Sequence, residues 1–276
     1  KTEPRRPLRP QDSPRRIQDA PRELQGDSHE APEKQKSPQP LEHILFLDIE
    51  TVPEQPNFDL LDQETQQLFD AKTTYKRKEN DLTAAAYYGH AGIWAEFGKI
   101  VCVSIGYVTT TTEGRQFRVR SFSGKESKLL RSFKELLDHH FSDRQHRLCA
   151  HNGKEFDFPF LARRMLKHQL ALPLLLQLMG KKPWEVPHLD TLELWKFGDY
   201  KHYTSLKLLA HFFDIPSPKD DMGGSDVARV YYEKNDLPRI VKYCEKDVVT
   251  LAQVYLKLIL HPPLDEDEIV YVSEDD

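Results

Sequence analysis

Four carboxylates and a phenol stand in this sequence where apolar residues are expected. Asp48 and Glu50 lie in His43-Ile-Leu-Phe-Leu-Asp-Ile-Glu-Thr51, a run that is apolar on both faces until it ends. Such a run reads as a central strand covered on two sides. Strand alternation sets Ile44, Phe46, Asp48 and Glu50 on one face and Leu45, Leu47 and Ile49 on the other. Two acids thus project side by side at the carboxyl end, where ligands of open sheets collect. The plain alternative is a strand that stops at Leu47 and leaves both acids in water. Farther on, Asp247 falls within the helical stripe Ile240, Cys244, Leu251, Val254 and Leu258, with Tyr243 one turn before it. Rotating that helix to expose Asp247 leaves the stripe half in water. The fourth acid closes His151-Asn-Gly-Lys-Glu-Phe-Asp157. It reads equally as a helix N-cap ahead of Pro159, just as Asn152-Gly153 reads as a turn.

Adjacent carboxylates in a low-dielectric setting repel unless a proton or a cation sits between them. Asp and Glu on a first strand, Asp before a middle helix and Tyr-x-x-x-Asp on a late helix suit a pair of hard cations. Oxygen ligands without Cys or His point to Mg²⁺ or Mn²⁺ rather than zinc. Two such ions about 4 Å apart stabilise the attacking and leaving oxygens of an in-line phosphoryl displacement, and one acidifies the attacking water.

The elements that must hold these groups follow from periodicity. After the first strand, residues 56–96 form a polar, partly helical excursion. Lys99–Tyr107 and Gln116–Ser121 read as the second and third strands, and Glu126–Phe141 has its apolar residues at helical spacing. Short strands at Arg147–His151 and His188–Thr191 precede a helix from about Phe158 and a run of helices from Ser205. Asp236 and Pro238 open the last long helix, which runs to about Leu260. The pattern predicts an α/β fold, a central mixed sheet with helices on both faces.

Composition sets the limits. The chain has 276 residues, of which 38% are hydrophobic and 30% charged. No run reaches 18 apolar residues, so no spanning segment is expected, and the first residues have no apolar core of a secretory signal. Cys102, Cys149 and Cys244 are too scattered for a disulfide framework or a CxxC zinc pattern. A cytoplasmic, membrane-free protein is the expectation. Residues 1–40 hold 9 Lys+Arg, 7 Asp+Glu and 8 prolines, and read as a disordered charged tail. The last twelve residues carry 7 acids and no bases, an acidic tail over 265–276. The body, 41–264, holds 30 basic and 30 acidic residues, which argues against gripping duplex DNA through a wide basic face. Within it no linker appears, and Pro216–Ser225 is the best flexible loop.

Phe46-Leu-Asp48-Ile-Glu50-Thr51, Asn152-x-x-x-x-Asp157 and Tyr243-x-x-x-Asp247 resemble the three motifs of the DEDD exonuclease superfamily, with Tyr in place of His marking its DEDDy branch. Ala95-Glu-Phe-Gly-Lys-Ile-Val101 and Tyr243-Cys-Glu-Lys-Asp247 narrow the resemblance to the exonucleases related to the exonuclease domain of family-B DNA polymerases, over about 41–260. That resemblance implies an RNase H-like fold and hydrolytic release of nucleoside 5′-monophosphates from a 3′ end. It implies Asp48, Glu50, Asp157 and Asp247 as ligands of two Mg²⁺ or Mn²⁺ ions. Tyr243 would orient or deprotonate the water; a phenol near its usual pKa of about 10 favours orientation. Thr51 would contact the terminal nucleotide, and Asn152 and Phe156 would line the strand channel. The implied partner is a single-stranded 3′ end, DNA before RNA, in a DNA repair setting, with a polymerase or repair partner unnamed.

Other residues carry weaker signals. The twelve His show no metal spacing. Trp94, Trp184 and Trp195 suit either base stacking or packing, and Lys72–Lys78 either phosphate contact or a solvated face. His202-Tyr-Thr-Ser-Leu-Lys207 opens a helix with a capping pattern. The competing readings are an exoribonuclease of the same superfamily and a catalytically silent nucleic-acid-binding domain on the same fold.

Overall fold

The first strand is the spine of the molecule because both of its faces are apolar. The computed structural model describes residues 39–78, 81–112, 114–199, 203–216 and 222–272. Residues 1–38 of the expected tail and part of the expected loop at 216–225 lie outside them. Pro38–Asp276 forms one compact unit.

Strand β1 (Ile44–Pro53) pairs antiparallel with β2 (Gly98–Thr111), which pairs antiparallel with β3 (Gly114–Ser123). Between β1 and β2 the chain forms α1 (Gln63–Lys78) and α2 (Ala84–Tyr87), which enclose Phe69, Tyr88 and Phe97 in a small aromatic core. Trp94 packs against that core under Lys76, and Lys72 pairs with Glu96, so this part of the basic run serves packing. On the other side of β1, β4 (Arg147–Ala150) and β5 (Leu189–Asp190) add in parallel. The order β5-β4-β1-β2-β3 is the RNase H-like sheet expected from the resemblance, extended at the far edge by β6 (Ile269–Tyr271).

Strand β6 corrects the expected boundary at 264. The segment read as an acidic tail returns to the sheet, pairing parallel with β3. Arg115 anchors it, binding both carboxylate oxygens of Glu268 at 2.8 and 2.6 Å. An internal cation thus takes up one of the acids that made this end look solvated.

Helices cover both faces as expected. Helices α3 (Glu126–His140) and α4 (Asp157–Lys167) close over Leu45, Leu47 and Ile49. Helix α8 (Leu237–Leu258) closes over Ile44 and Phe46 through Val248, Leu251, Ala252 and Tyr255. It is preceded by α5 (Thr191–Lys196), α6 (Leu206–Phe212) and α7 (Val227–Tyr232). The Asp236 carboxylate caps α8 by accepting from the Arg239 N–H at 3.2 Å, as its sequence position predicts.

Two buried polar devices fasten these layers. Arg164, 1% exposed, donates to both oxygens of Glu126 at 2.7 and 2.5 Å, to the Ala95 carbonyl at 2.9 Å and to Glu54 at 3.1 Å. Glu126 also accepts the Ile100 N–H at 2.8 Å. Burial opposes its charge, yet Arg164, His168 and that N–H together hold its pKa below the usual range. Second, buried His188 accepts the Leu148 N–H on Nδ1 at 3.2 Å, so its Nε2–H donates to the Leu175 carbonyl at 2.7 Å. Burial, with Arg147, Lys154 and Lys181 nearby, pushes its pKa down to about 4.

Arg164→Ala strands a buried carboxylate and is expected to cost about 3–5 kcal/mol in urea unfolding. Arg164→Ala combined with Glu126→Gln should cost less, because Gln keeps the Ile100 bond without an unpaired charge. A larger loss in the double variant would sink this account. His188 is neutral when folded and titrates near 6.5 when unfolded, so the unfolded state binds the extra proton between those values. Its contribution is present above about pH 6.5 and is lost as pH falls toward 4, by roughly 2–3 kcal/mol. His188→Gln should flatten the stability–pH curve over that interval; an unchanged slope would refute the assignment.

Candidate active site

The candidate groups meet where β1 outruns β4. The β1–β4 pairing ends at Phe46 opposite Cys149, so the edge of β1 beyond it lacks a strand partner on that side. Asp157 takes part of the place, near enough to the Ile49 N–H for that group to favour its charged form. It is the first residue of α4 rather than the cap; Phe156 holds the cap position and makes no side-chain cap bond. The N-cap alternative therefore does not describe Asp157. Burial pushes its carboxyl up to about 7, with Asp190 adding to the rise.

The loop that delivers Asp157 is shaped by two residues. Asn152 sits at φ +63°, in the left-handed region that Asn tolerates. A Cβ on Gly153 would lie 2.4 Å from the Ala150 Cβ, so only glycine fits there. Buried Asp190, at the end of β5, pins the loop by accepting from the N–H groups of Asn152, Lys154 and Leu192 at 2.9, 3.1 and 3.0 Å.

On the α8 face of β1, Asp48 and Glu50 point as the alternation predicts, and α8 brings Tyr243, Cys244 and Asp247 against them. A carboxylate oxygen of Asp48, one of Glu50 and the Cys244 sulfur lie within 4.8 Å of one another. A bulge in β2 opposite Glu50 and Thr51 helps to make this crease: the extra residue is Val101, and Val101 and Cys102 both face α8. Loss of water, then Asp247 and Asp157, raise the Asp48 pKa well above the usual carboxylate range. Glu50 is raised in the same way, by burial and then by Asp48 and Asp247.

Sequence reasoning missed Cys244 as a site residue because it reads as one more apolar member of its stripe. Its thiol donates to an Asp48 carboxylate oxygen at 3.3 Å. Burial and its neighbours raise its pKa, so it stays a neutral donor. Asp190 was also missed, since it falls inside the short strand read at His188–Thr191 and no local pattern marks it. Tyr243 hydrogen-bonds to Asp247, and its phenol pKa is raised by burial, Asp247 and Glu50, so it remains protonated.

The three expected substrate-contacting residues are placed less distinctively. The Thr51 hydroxyl donates to the Gly92 carbonyl at 2.8 Å. Phe156 is half-buried against Phe160 and the core, and half-buried Asn152 stays on its loop beside Asp190.

A hard divalent cation fits this donor set. The groups acting on Asp48 and Glu50 are other carboxylates and thiols, so a positive charge relieves the repulsion that raises their pKa values. The soft atom nearest the two acids, the Cys244 sulfur, is protonated and already engaged with Asp48.

This fold and cluster define an α/β protein of exonuclease architecture. Residues 94–272 match the family described as predicted 3′-5′ exonuclease related to the exonuclease domain of PolB, and the chain belongs to that family. The matched stretch starts after β1, so Asp48 and Glu50 join the matched residues through the sheet. A structurally similar protein is the family B DNA polymerase from the hyperthermophilic archaeon Pyrobaculum calidifontis, at 14% identity and a TM-score of 0.42. The alignment covers 82% of this chain and 26% of the polymerase, so the chain spans about a quarter of that protein's length. No curated protein matches this chain. Among the described residues, no helix is long and apolar enough to cross a membrane.

If buried like charges dominate the crease, Glu50→Gln should raise stability in chelator by about 1–2 kcal/mol, or about 3–6 °C in Tm. Mn²⁺ at about 100 times its Kd should stabilise the wild type by about 2.7 kcal/mol and the variant far less. Thermal melts with EDTA and with Mn²⁺ read both effects. A variant less stable than wild type in EDTA would count against the repulsion account.

Proposed function

We propose that this protein is a metal-dependent 3′-5′ exonuclease that removes nucleoside 5′-monophosphates from single-stranded DNA ends. The observation that carries this reading is the convergence of Asp48, Glu50, Asp157 and Asp247, with Tyr243, on the carboxyl end of one central strand. Family membership supports the reaction class. The family's relation to polymerase exonuclease domains favours DNA as substrate and 3′-end processing in repair as setting.

Asp48, Glu50, Asp157 and Asp247 would hold Mg²⁺ or Mn²⁺. Bound there, two divalent ions would supply a lowered water pKa and electrostatic stabilisation of the phosphoryl group. The chain's own residues do the rest. Asp157 faces Asp48 from the α4 side, near enough for its charge to act on that carboxylate. Cys244 restricts the rotation of Asp48 through its thiol bond. Tyr243 keeps its proton, so its role is to orient the attacking water by hydrogen bonding rather than to deprotonate it. The neutral body charge suits a protein that takes hold of one strand end through a few phosphates.

A 5′-labelled single-stranded DNA incubated with Mg²⁺ or Mn²⁺ should yield a ladder shortening from the 3′ end. Asp48→Ala and Asp247→Ala should each slow it by about 10³-fold or more while oligonucleotide binding persists. Tyr243→Phe should cost about 10–100-fold. Equal, complete loss in all three would reject the orienting role. Faster degradation of RNA of the same sequence would make the protein an exoribonuclease. No cleavage of either by folded protein would make it a silent binding domain.

A further inference from the structure

Beside the candidate site lies a set of aromatic side chains that the fold does not use. Phe197 is 86% exposed and Phe212 62% exposed, and both rings stand around Trp195, at 6.4 and 5.2 Å between centroids. Trp195 is itself packed on Leu209 and Val254, which makes it a rigid base for the two exposed rings. Phe197 also holds a left-handed backbone, φ +43°, at the end of α5. That position favours Gly or Asn, and a bulky residue there is strained. A strained side chain that buries almost nothing is not explained by stability.

The cluster connects directly to the carboxylates. Helix α5 begins at Asp190 and α6 follows Thr204, whose carbonyl is bound by His151 at 2.8 Å. Tyr203, 66% exposed, lies against the His151 ring at 6.2 Å, and the charges of Asp157 and Asp190 act on its phenol. From there both helices run outward, and their far ends meet where Trp195 touches Phe212. Six residues of α5 span about 9 Å. The outer face of α6 is exposed at Lys207, Leu208, His211 and Phe212, so cationic and aromatic groups share one surface.

We infer that this surface is a stacking platform for the bases of the single strand upstream of its 3′ end. Tyr203 receives the bases nearest the carboxylates, and Phe197 and Phe212 receive those farther out. This inference rests on the proposed reading of the site and names how the substrate is held. A ring face accepts any base, and exposed Lys207 beside the rings suits a phosphate between them. Stacking does not depend on the sugar, so the platform serves single strands without choosing sequence. It also supplies affinity that does not depend on net charge, in a body of 30 bases and 30 acids.

The test compares fluorescent oligothymidylate of about ten nucleotides with an abasic phosphodiester of equal length and charge, by anisotropy in EDTA. Wild type should prefer the thymidylate about tenfold or more, Phe197→Ala with Phe212→Ala should erase the preference, and Phe197→Tyr with Phe212→Tyr should keep it. Equal binding of the two probes by wild type, or a preference unmoved by the alanines, would overturn the platform. So would a concentration-dependent dimer that the alanines dissolve, since a second copy would then own the surface. The two readings fail separately. Base preference lost in the alanine variant of a protein that cleaves nothing keeps the platform and removes the nuclease. A 3′ ladder whose KM for long strands is unmoved by the alanines keeps the nuclease and removes the platform.

Discussion

Loss of water, together with mutual repulsion, among carboxylates gathered in one crease is the constraint that the rest of this architecture serves. Asp48, Glu50, Asp157 and Asp247 come from three separate elements, and each raises or shares the electrostatic cost of the others. Left to themselves they would separate into water. They stay together because every element that carries one is fastened by something stronger than their repulsion. Strand β1 is buried on both faces, so its register cannot slip without turning Leu45 and Leu47 out of one core and Phe46 out of the other. Helix α8 is fixed by the stripe that runs past Asp247, and α4 by Arg164 in its buried bond to Glu126. The stability of the scaffold is what makes a destabilised site possible.

Much of this was legible before any coordinates, and the reasons are physical. Alternation along β1 reads out a pleat, and a pleat alone decides which way Asp48 and Glu50 point. The stripe on α8 works the same way at helical period. Both are local properties, encoded within a few residues. What escaped the sequence depends on partners far away in the chain. Cys244 reads as core, and core it is, yet its thiol reaches Asp48 across 196 positions. Nothing local marks Glu126 and Arg164 as partners, yet they pair in the interior. The acidic end reads as solvated until Arg115 is found opposite Glu268.

Asp157 shows the intermediate case. Its position before Pro159 is a fair cap signal, and its loop does turn at Asn152-Gly153 as the residue pair suggests. What the local pattern omits is the unpaired edge of β1, which exists only because β4 stops early. The carboxylate lies beside that edge, where the Ile49 N–H favours its charged form. A helix cap and a strand-edge ligand ask for the same residue type, so type and spacing alone leave the choice open.

Under the proposed function, the two kinds of surface around the crease would divide the work of holding a strand end. Charge is concentrated on a few buried acids, where a cation brings phosphate affinity to one point. Ring area is spread outward along α5 and α6, where affinity grows with each base and carries no net charge. A wide basic face would hold duplex and single strand alike, because both present phosphates. Rings that stack on splayed bases cannot engage a paired duplex in the same way. On the proposed reading, selectivity for an unpaired end would rest on the exposed aromatics, in a body whose 30 bases and 30 acids balance.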